Sequence, residues 1–271
     1  MDHALVTSTG GGALMDGVVA FLTDPANWTG TTGIPNRLVE HLQISLLAVL
    51  LAALIAIPIG MYVGHTNRGS GIAINLANIG RAVPSFAMMV IPVPLTLTLA
   101  ETGIYDPSFG LVFLPPFLAM TFLAIPPLLV GTYAGLRTVD RDLIEAGRGM
   151  GLRERQILRR IELPIASPII VGGLRTATLQ VIATATIAAI LGGGGLGRFI
   201  FDGLNQGLAG RPSIYAGAIL VTALAVGVDM LLAWIQTQLT PRALRKPRAT
   251  SRRGWTRISE APRPGGADAP V

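Results

Sequence analysis

Few side chains in this sequence are suited to act as catalysts or metal ligands. The chain has three histidines, one lysine and no cysteine. The histidines, His3, His41 and His65, lie far apart without a nearby carboxylate cluster, so neither a metal site nor a catalytic triad is indicated. Lys246 precedes a proline, which excludes the Gly-Lys-Ser/Thr of a Walker A loop. A cysteine nucleophile, a thiolate metal site and a disulfide framework are excluded as well.

The densest run of charge lies at residues 137–162, and glycines divide it into two short helices. Asp140 is suited to cap the first helix. That helix is expected to end near Gly149 and Gly151, because two glycines so close disfavour a continuous helix and one can supply a left-handed turn. A second helix follows, and Pro164 is expected to stop it. The pattern predicts a helix–turn–helix with a charged face.

Three ionisable residues lie inside otherwise apolar segments: Arg81, Arg175 and Asp229. A charge at the centre of a bilayer costs at least about 2.5–3.5 kcal/mol when lipid surrounds it. Counted from the side of the membrane that carries the charged run, all three lie at a depth of about 15 Å at 1.5 Å per residue. Equal depth and opposite sign predict that Asp229 pairs with Arg175 or Arg81 inside the protein, as a structural contact rather than a substrate contact.

The run at 192–197 contains Gly194, Gly195 and Gly197 and formally matches the G-x-G-x-x-G pattern. A dinucleotide site needs a preceding strand and an acidic residue about 20 positions later. Here an apolar helix precedes, and residue 217 is glycine, so that interpretation is rejected. The run predicts a flexible turn on the outer side, near a gate or a partner contact. A helix C-cap followed by a loop is the alternative.

Composition indicates which elements position these residues. Only 13% of the 271 residues are charged, 51% are hydrophobic, and the mean hydropathy is +0.57, whereas a soluble domain is roughly 25% charged. We therefore expect an all-α membrane protein with about five transmembrane helices. The apolar segments run over 42–63, 71–98, 111–136, 165–191 and 214–239. Residues 198–212 between the last two are expected to form a polar loop.

Prolines interrupt the second apolar segment. Pro84 and Ser85 lie near its middle, where broken helix is tolerated only if protein or a wet cavity satisfies the freed backbone groups. Unwound backbone at this point is suited to line a translocation pathway. The alternative is an ordinary proline kink packed by neighbouring helices.

The distribution of basic residues predicts the orientation in the membrane. Five spans place the termini on opposite sides. One side carries Arg68, seven arginines of 137–162 and eight basic residues of 242–263, whereas the other side carries Arg37, Arg198 and Arg211. The positive-inside rule puts the first side in the cytoplasm, with the N-terminus outside and the C-terminus in the cytoplasm. The net charge of +6 is thus a topology signal, and no nucleic-acid partner is expected.

Spacing within the charged loop resembles the "EAA" loop of ABC importer permeases, whose pattern is Glu-Ala-Ala-x3-Gly-x9-Ile-x-Leu-Pro. The matching residues here are Glu145, Ala146, Gly147, Gly151, Ile161, Leu163 and Pro164. The one departure is Gly147, which stands where the pattern has alanine and would loosen the first helix. The resemblance implies the type I ABC importer permease fold, with residues 137–164 as a cytoplasmic coupling-helix loop.

The resemblance extends over roughly residues 27–240. Within the family, this part of the chain is similar to the osmoprotectant branch, the permeases for glycine betaine, carnitine, choline and proline. The stretches that carry it are Asn27-Trp28, Gly33-Ile34-Pro35, Glu40-His41, Val83-Pro84-Ser85, Ile125-Pro126-Pro127, Thr132-Tyr133-Ala134-Gly135-Leu136 and residues 194–201. It implies a transmembrane permease domain at 41–240. Before that domain we expect a periplasmic or interfacial segment at 1–40. The Arg-, Pro- and Gly-rich composition of residues 241–271 predicts a disordered basic cytoplasmic tail.

A division of labour follows from the resemblance. The permease forms a homodimer in the cell membrane, a separate ATPase docks on the cytoplasmic loop, and a separate solute-binding protein delivers solute from outside. This chain performs no chemistry and binds no cofactor or metal, since ATP and magnesium belong to the ATPase.

Three alternatives remain open. The first is an ABC importer permease for another small solute such as an amino acid. The second is an ATP-independent channel or secondary carrier, which the loop pattern disfavours. The third is a membrane-anchored scaffold without solute flux.

Overall fold

Helices connected by short turns make up the part of the chain that the computed structural model describes, residues 3–103 and 107–240. The predicted tail at 241–271 lies outside the described residues. The α-helices are α1 (His3–Thr23), α2 (Ile34–Thr66), α3 (Ser70–Ala82), α4 (Ser85–Val90), α5 (Val93–Glu101), α6 (Pro107–Arg137), α7 (Arg141–Gly149), α8 (Glu154–Ile157), α9 (Leu163–Ala188), α10 (Gly197–Asn205) and α11 (Arg211–Leu239). Short 3-10 turns follow α1 and α9, at Pro25–Trp28 and Ala189–Leu191.

Among the described residues, four continuous helices are long and apolar enough to cross a membrane: Ile34–Thr66, Phe113–Arg137, Glu154–Leu191 and Arg211–Leu239. A fifth candidate is the bent pair Ser70–Gly80 and Ser85–Glu101, whose two halves meet at 93°. The break lies at Val83–Pro84, as the proline pattern predicts, because proline disfavours helical backbone at the preceding residue. The predicted set of about five spans is confirmed.

The core lies where α2, α6 and α9 pack together. Alanines at positions 48, 52 and 56 of α2 are fully buried, and they face Met120, Ala124 and Leu128 of α6 and Ala177, Val181 and Ala185 of α9. Their spacing of four residues forms one stripe along α2. Without a hydrophobic driving force between helices in lipid, close contact of small residues supplies much of the packing energy, which explains the alanine-rich core.

The final span, α11, packs on α9, α10 and α1 and buries little of its own surface. Its C-terminal end is tied to α9, because the Gln236 side chain donates a hydrogen bond to the Pro168 carbonyl at 2.7 Å.

Two segments outside the predicted spans are helical. The N-terminal segment contains the 21-residue helix α1, which packs on α11 through Gly17 and Pro212. The expected polar loop at 198–212 contains α10, whose Phe199 makes an edge-to-face contact with Phe21 at 5.6 Å between ring centres. Tertiary contact with α11 stabilises both helices although their polar residues and glycines favour turns.

Candidate functional site

The charged loop folds as two helices around one glycine turn, as predicted. Helix α7 begins after Asp140, whose carboxylate accepts a hydrogen bond from the Asp142 backbone N–H at 3.0 Å. The chain turns at Gly151, which has a φ of +80°. The left-handed region is costly for residues that carry a Cβ. Glycine is therefore required for the direction of this turn.

Gly147 is buried where α7 meets the second half of the loop. A Cβ added at this position would lie 2.8 Å from Cδ1 of Ile161 and 3.5 Å from a side-chain carbon of Ile157. Glycine therefore lets α7 approach these two isoleucines closely. The departure from the EAA pattern therefore has a packing reason in this chain. Glycine loses the helix-favouring effect of alanine but gains the close contact with the two isoleucines.

The prediction that Pro164 stops the second helix is wrong. Helix α8 continues through a single π-helical stretch, Leu158–Glu162, directly into α9. The N–H of Leu163 donates to the carbonyl of Leu158, five residues earlier, and Pro164 occupies the first turn of α9. Proline needs no N–H partner in a first turn. The loop is consequently continuous with the fourth span, through Ile161, Leu163 and Pro164.

A chain of charged contacts links the loop to the end of α2. Arg148 donates to both carboxylate oxygens of Glu154, at 2.8 and 3.2 Å, and this hydrogen bonding raises the pKa of Arg148 above its ordinary value. Glu154 also lies 3.3 Å from Nε2 of His65, and Nδ1 of His65 lies 2.7 Å from Oε2 of Glu162. The Glu162 side chain is 3% exposed.

The face of α7 that points away from the rest of the chain is open to a partner. Glu145 and Ala146 are exposed, and two apolar side chains beside them, Leu143 and Met150, are 48% and 74% exposed. A cleft of about 250 Å³ lies between α7 and the ends of α2 and α6, and its lining includes Glu145 and His65. An exposed apolar patch flanked by charges is typical of a protein–protein contact.

The glycine run docks on the opposite end of α2. Gly192 and Gly195 adopt φ values of +86° and +90°. The Gly195 backbone N–H donates to Oε2 of Glu40 at 2.8 Å, and the same oxygen accepts from Arg37 at 2.9 Å. A Cβ at Gly194 would collide with the Glu40 carboxylate. The run is therefore both a helix C-cap, at Gly192, and a turn held by α2.

Gly197, at the end of the glycine run, also has no room for a side chain. A Cβ at Gly197 would collide with the carbonyl of Thr186. On the other side of the turn, Nε2 of the fully buried His41 lies 3.1 Å from the Ile182 carbonyl. The turn is thus packed between α2 and α9.

Two of the three charges within spans, Arg175 and Asp229, form an ion pair that is partly exposed on the surface of the chain. Arg175 donates through Nε and a terminal nitrogen to both oxygens of Asp229, which joins α9 to α11. Their side chains are 37% and 25% exposed. The predicted pairing of Asp229 with an arginine of another span is therefore present, and the arginine is Arg175. Arg81 lies in α3, and its side chain is outside the described part of the structure.

Pro84 and Ser85 lie at the break of the bent pair. Pro84 precedes the first turn of α4, and its carbonyl accepts from the Met88 N–H at 3.1 Å. Pro84 is exposed and Ser85 is partly exposed in the isolated chain. The 13-residue helix α3 separates both residues from the end of α2.

Sequence reasoning missed four charged or polar residues of these sites: Glu40, His65, Glu154 and Glu162. His65 and Glu162 are 97 positions apart, and Glu40 and Gly195 are 155 apart. The linear signals were the Glu40-His41 stretch of the resemblance, the exclusion of His65 from any metal motif and the position of Glu162 at the end of the charged run. None of these observations predicts a partner.

Comparison with known proteins agrees with this geometry. Residues 56–245 match the family model described as "Binding-protein-dependent transport system inner membrane component". The chain is 38% identical over 207 residues to the choline transport system permease protein OpuBB of Bacillus subtilis, covering 76% of this chain and 88% of the relative. It is 36% identical over 238 residues to the carnitine transport permease protein OpuCB of Listeria monocytogenes, covering 86% and 98%.

Solved structures share the fold. A chain of the MetNI methionine ABC transporter in an inward facing conformation matches with a TM-score of 0.64 at 23% identity, over 81% of this chain and all of that chain. A chain of an amino acid ABC transporter matches with a TM-score of 0.57 at 17% identity, over 76% and 92%. The predicted type I importer permease fold is confirmed. From its loop, its spans and these matches, the chain belongs to the family of inner membrane components of binding-protein-dependent transport systems.

Proposed function

We propose that this chain is the permease subunit of an ATP-driven importer for a small osmoprotectant such as glycine betaine or choline. The observation that carries the proposal is the similarity to curated relatives, among them the choline permease OpuBB, the carnitine permease OpuCB and the osmoprotectant import permease OsmW of Salmonella typhimurium, at 32–38% identity over most of their lengths.

A separate cytoplasmic ATPase docks on α7 in this proposal and supplies all ATP and magnesium binding. The exposed Leu143 and Met150 provide an apolar contact, and Glu145 and Ala146 provide an anchor and a close approach. Because α8 continues into α9 without a stop, displacement of the loop is transmitted to the membrane as movement of one helix. A rigid lever of this kind is needed to couple ATPase closure to opening of a pathway.

The extracytoplasmic side receives a solute-binding protein, and two copies of this permease enclose the pathway as a homodimer. The 1–40 segment and the turn of Gly194, Gly195 and Gly197 lie on that side, and Pro84 and Ser85 line the pathway. Residues 41–240 form the membrane domain. Aromatic residues are only 6% of the chain, which favours recognition of a quaternary ammonium on the binding protein, since such cations are usually held by aromatic faces.

The test is uptake of labelled glycine betaine and choline into proteoliposomes that contain this chain, its ATPase and its binding protein. We expect uptake that requires all three proteins and ATP. Uptake without the ATPase would instead establish a channel or carrier. ATPase stimulation without uptake of either solute would move the substrate to another class such as amino acids.

A matched pair of variants tests the coupling loop. Glu145→Ala is expected to abolish ATP-driven uptake while the protein stays in the membrane, because the exposed anchor on α7 is lost. Glu101→Ala removes an exposed glutamate at the end of α5 and is expected to leave uptake unchanged. Equal uptake by both variants would contradict the role of Glu145.

A further inference from the structure

The contact between the coupling loop and the first span depends on one histidine. His65 lies in the last turn of α2, which ends at Asn67 in the left-handed conformation. Its ring has two nitrogens, and each faces a carboxylate: Nδ1 is 2.7 Å from Glu162 and Nε2 is 3.3 Å from Glu154. Both carboxylates belong to the segment that joins α7 to α9. The ring therefore lies between the loop and α2.

Glu162 makes this contact more than an incidental surface pair. Its side chain is 3% exposed, whereas the His65 side chain is 15% exposed and Glu154 is 55% exposed. A buried carboxylate is strongly destabilising unless a hydrogen-bond partner compensates for the lost water. The partner that the structure provides is Nδ1 of His65. The end of α2 and the π-helical stretch are thus held together by a contact that is costly to separate.

The contacts continue from His65 to the tip of the loop. Glu154 accepts two hydrogen bonds from Arg148, which lies in the last turn of α7. A fork of two parallel hydrogen bonds fixes direction as well as distance. A chain of contacts therefore connects α7, the helix that is open to a partner, with two different membrane spans, α2 and α9. Its members in order are Arg148, Glu154, His65 and Glu162.

We propose that His65 is a positioning residue that transmits displacement of α7 to the cytoplasmic end of α2. This inference rests on the proposed function, because it assumes that an ATPase moves α7. Helix α9 receives the displacement directly through the continuous backbone. Helix α2 has no such backbone connection, and His65 supplies the link, so that α2 and α9 move together at their cytoplasmic ends.

The experiment uses the complete transporter in proteoliposomes and measures solute imported per ATP hydrolysed. His65→Ala is expected to keep ATPase stimulation by the loaded binding protein but to lower this ratio about 5-fold or more, the lower end of typical coupling between sites. Thr66→Ala is the matched control, because the Thr66 hydroxyl donates to the Tyr62 carbonyl and accepts from the Arg68 backbone N–H, both at the end of α2 and neither in the loop. Its ratio is expected to equal that of the unmodified protein.

A double variant separates transmission from stability. His65→Ala alone leaves Glu162 buried without its partner, which destabilises the fold. His65→Leu with Glu162→Leu replaces both groups by apolar ones, which is nearly neutral for stability. We expect the double variant to recover membrane level and thermal stability but not the import ratio. Glu162→Gln, which keeps an acceptor for Nδ1, is expected to retain most of the ratio.

Two results would overturn the inference. One is a double variant with the ratio of the unmodified protein. The other is a loss of membrane level in His65→Ala with no change in the ratio of the protein that remains, which assigns His65 a structural role only. Failure of the proposed function has a different signature, because the unmodified complex would then show no ATP-driven import.

Discussion

The Arg175–Asp229 pair presents a problem at the scale of single residues. Both side chains lie within spans, and both are partly exposed on the surface of the chain, at 37% and 25%. Charged residues in spans face a bundle interior or a water-filled cavity, because lipid cannot solvate them. The surface that carries this pair is therefore expected to face either the pathway or the second permease copy of the proposed homodimer, and not lipid.

Removal of one partner from this pair tests that expectation. Asp229→Asn leaves the Arg175 guanidinium without a counter-charge, so we expect a several-fold lower level of protein in the membrane. The charge swap of Arg175→Asp with Asp229→Arg is expected to recover part of that level. Immunoblotting of membrane fractions measures both.

The Arg198–Asp202 pair of α10 provides the matched control. It has a similar exposure, 32% and 44%, with the two atoms at 2.8 Å, but it lies outside the long spans. Asp202→Asn is expected to leave the level unchanged, because exposed pairs contribute little. An equal loss in both single variants would show that depth in the membrane is irrelevant to the Arg175–Asp229 pair.

Gly151 and Gly149 offer a comparison within one turn. Gly151 has a φ of +80°, Gly149 has no positive φ, and a Cβ at either position meets no atom within 4 Å. Gly151→Ala is thus expected to lower the free energy of unfolding by about 1–2 kcal/mol through left-handed strain alone. Gly149→Ala is expected to be neutral or slightly stabilising, because alanine favours helix. Thermal unfolding in detergent measures both, and equal midpoints would contradict the strain argument.

At the scale of elements, the crossing of α6 and α9 depends on two glycines. A Cβ at Gly131 would lie 2.8 Å from Cα of Gly173, and a Cβ at Gly173 would lie 2.8 Å from the carbonyl oxygen of Pro127. The two helices therefore touch backbone to backbone. Small residues at such crossings allow close approach, which is a general device of membrane helices.

Overpacking of this crossing is expected to destabilise the fold. Gly131→Ala or Gly173→Ala forces the backbones apart, at a cost of about 1–3 kcal/mol. Gly172→Ala is the matched control, since its added Cβ would lie 3.7 Å from the flexible Gln236 side chain, an ordinary contact. We expect a lower thermal midpoint for the first two variants only. A lower midpoint for Gly172→Ala alone would place the close contact elsewhere.

At the scale of the whole molecule, the absence of cysteine makes the orientation directly testable. Met150 and Leu208 are 74% and 73% exposed, and the proposed orientation places them on opposite sides. A membrane-impermeant maleimide added to intact cells is expected to label Leu208→Cys and not Met150→Cys. Labelling of Met150→Cys should require permeabilised cells.

The unmodified chain controls for background, because it has no thiol. The opposite pattern of labelling would invert the orientation and place α7 outside, where no ATPase can reach it. Labelling of both variants in intact cells would contradict a membrane crossing by Glu154–Leu191, the span that lies between the two positions.

Much of this protein follows from its sequence. Apolar length and low charge determine the spans, because lipid leaves helices as the one way to satisfy the backbone of a single segment. Pro84 predicts the break between α3 and α4, and Gly151 predicts the turn of the coupling loop, since both act through local backbone geometry. The spacing from Glu145 to Pro164 was sufficient to identify the family.

Tertiary structure decided what local rules leave open. Pro164 is a first-turn residue and not a helix stop, because the π-helical stretch before it supplies a different hydrogen-bond register. The pairing of His65 with Glu162, and of Glu40 with Gly195, joins residues about 100 to 155 positions apart. No pattern in one chain predicts such contacts, because they depend on how α2, α6 and α9 pack. Sequence therefore determined the elements, and packing determined which charges meet.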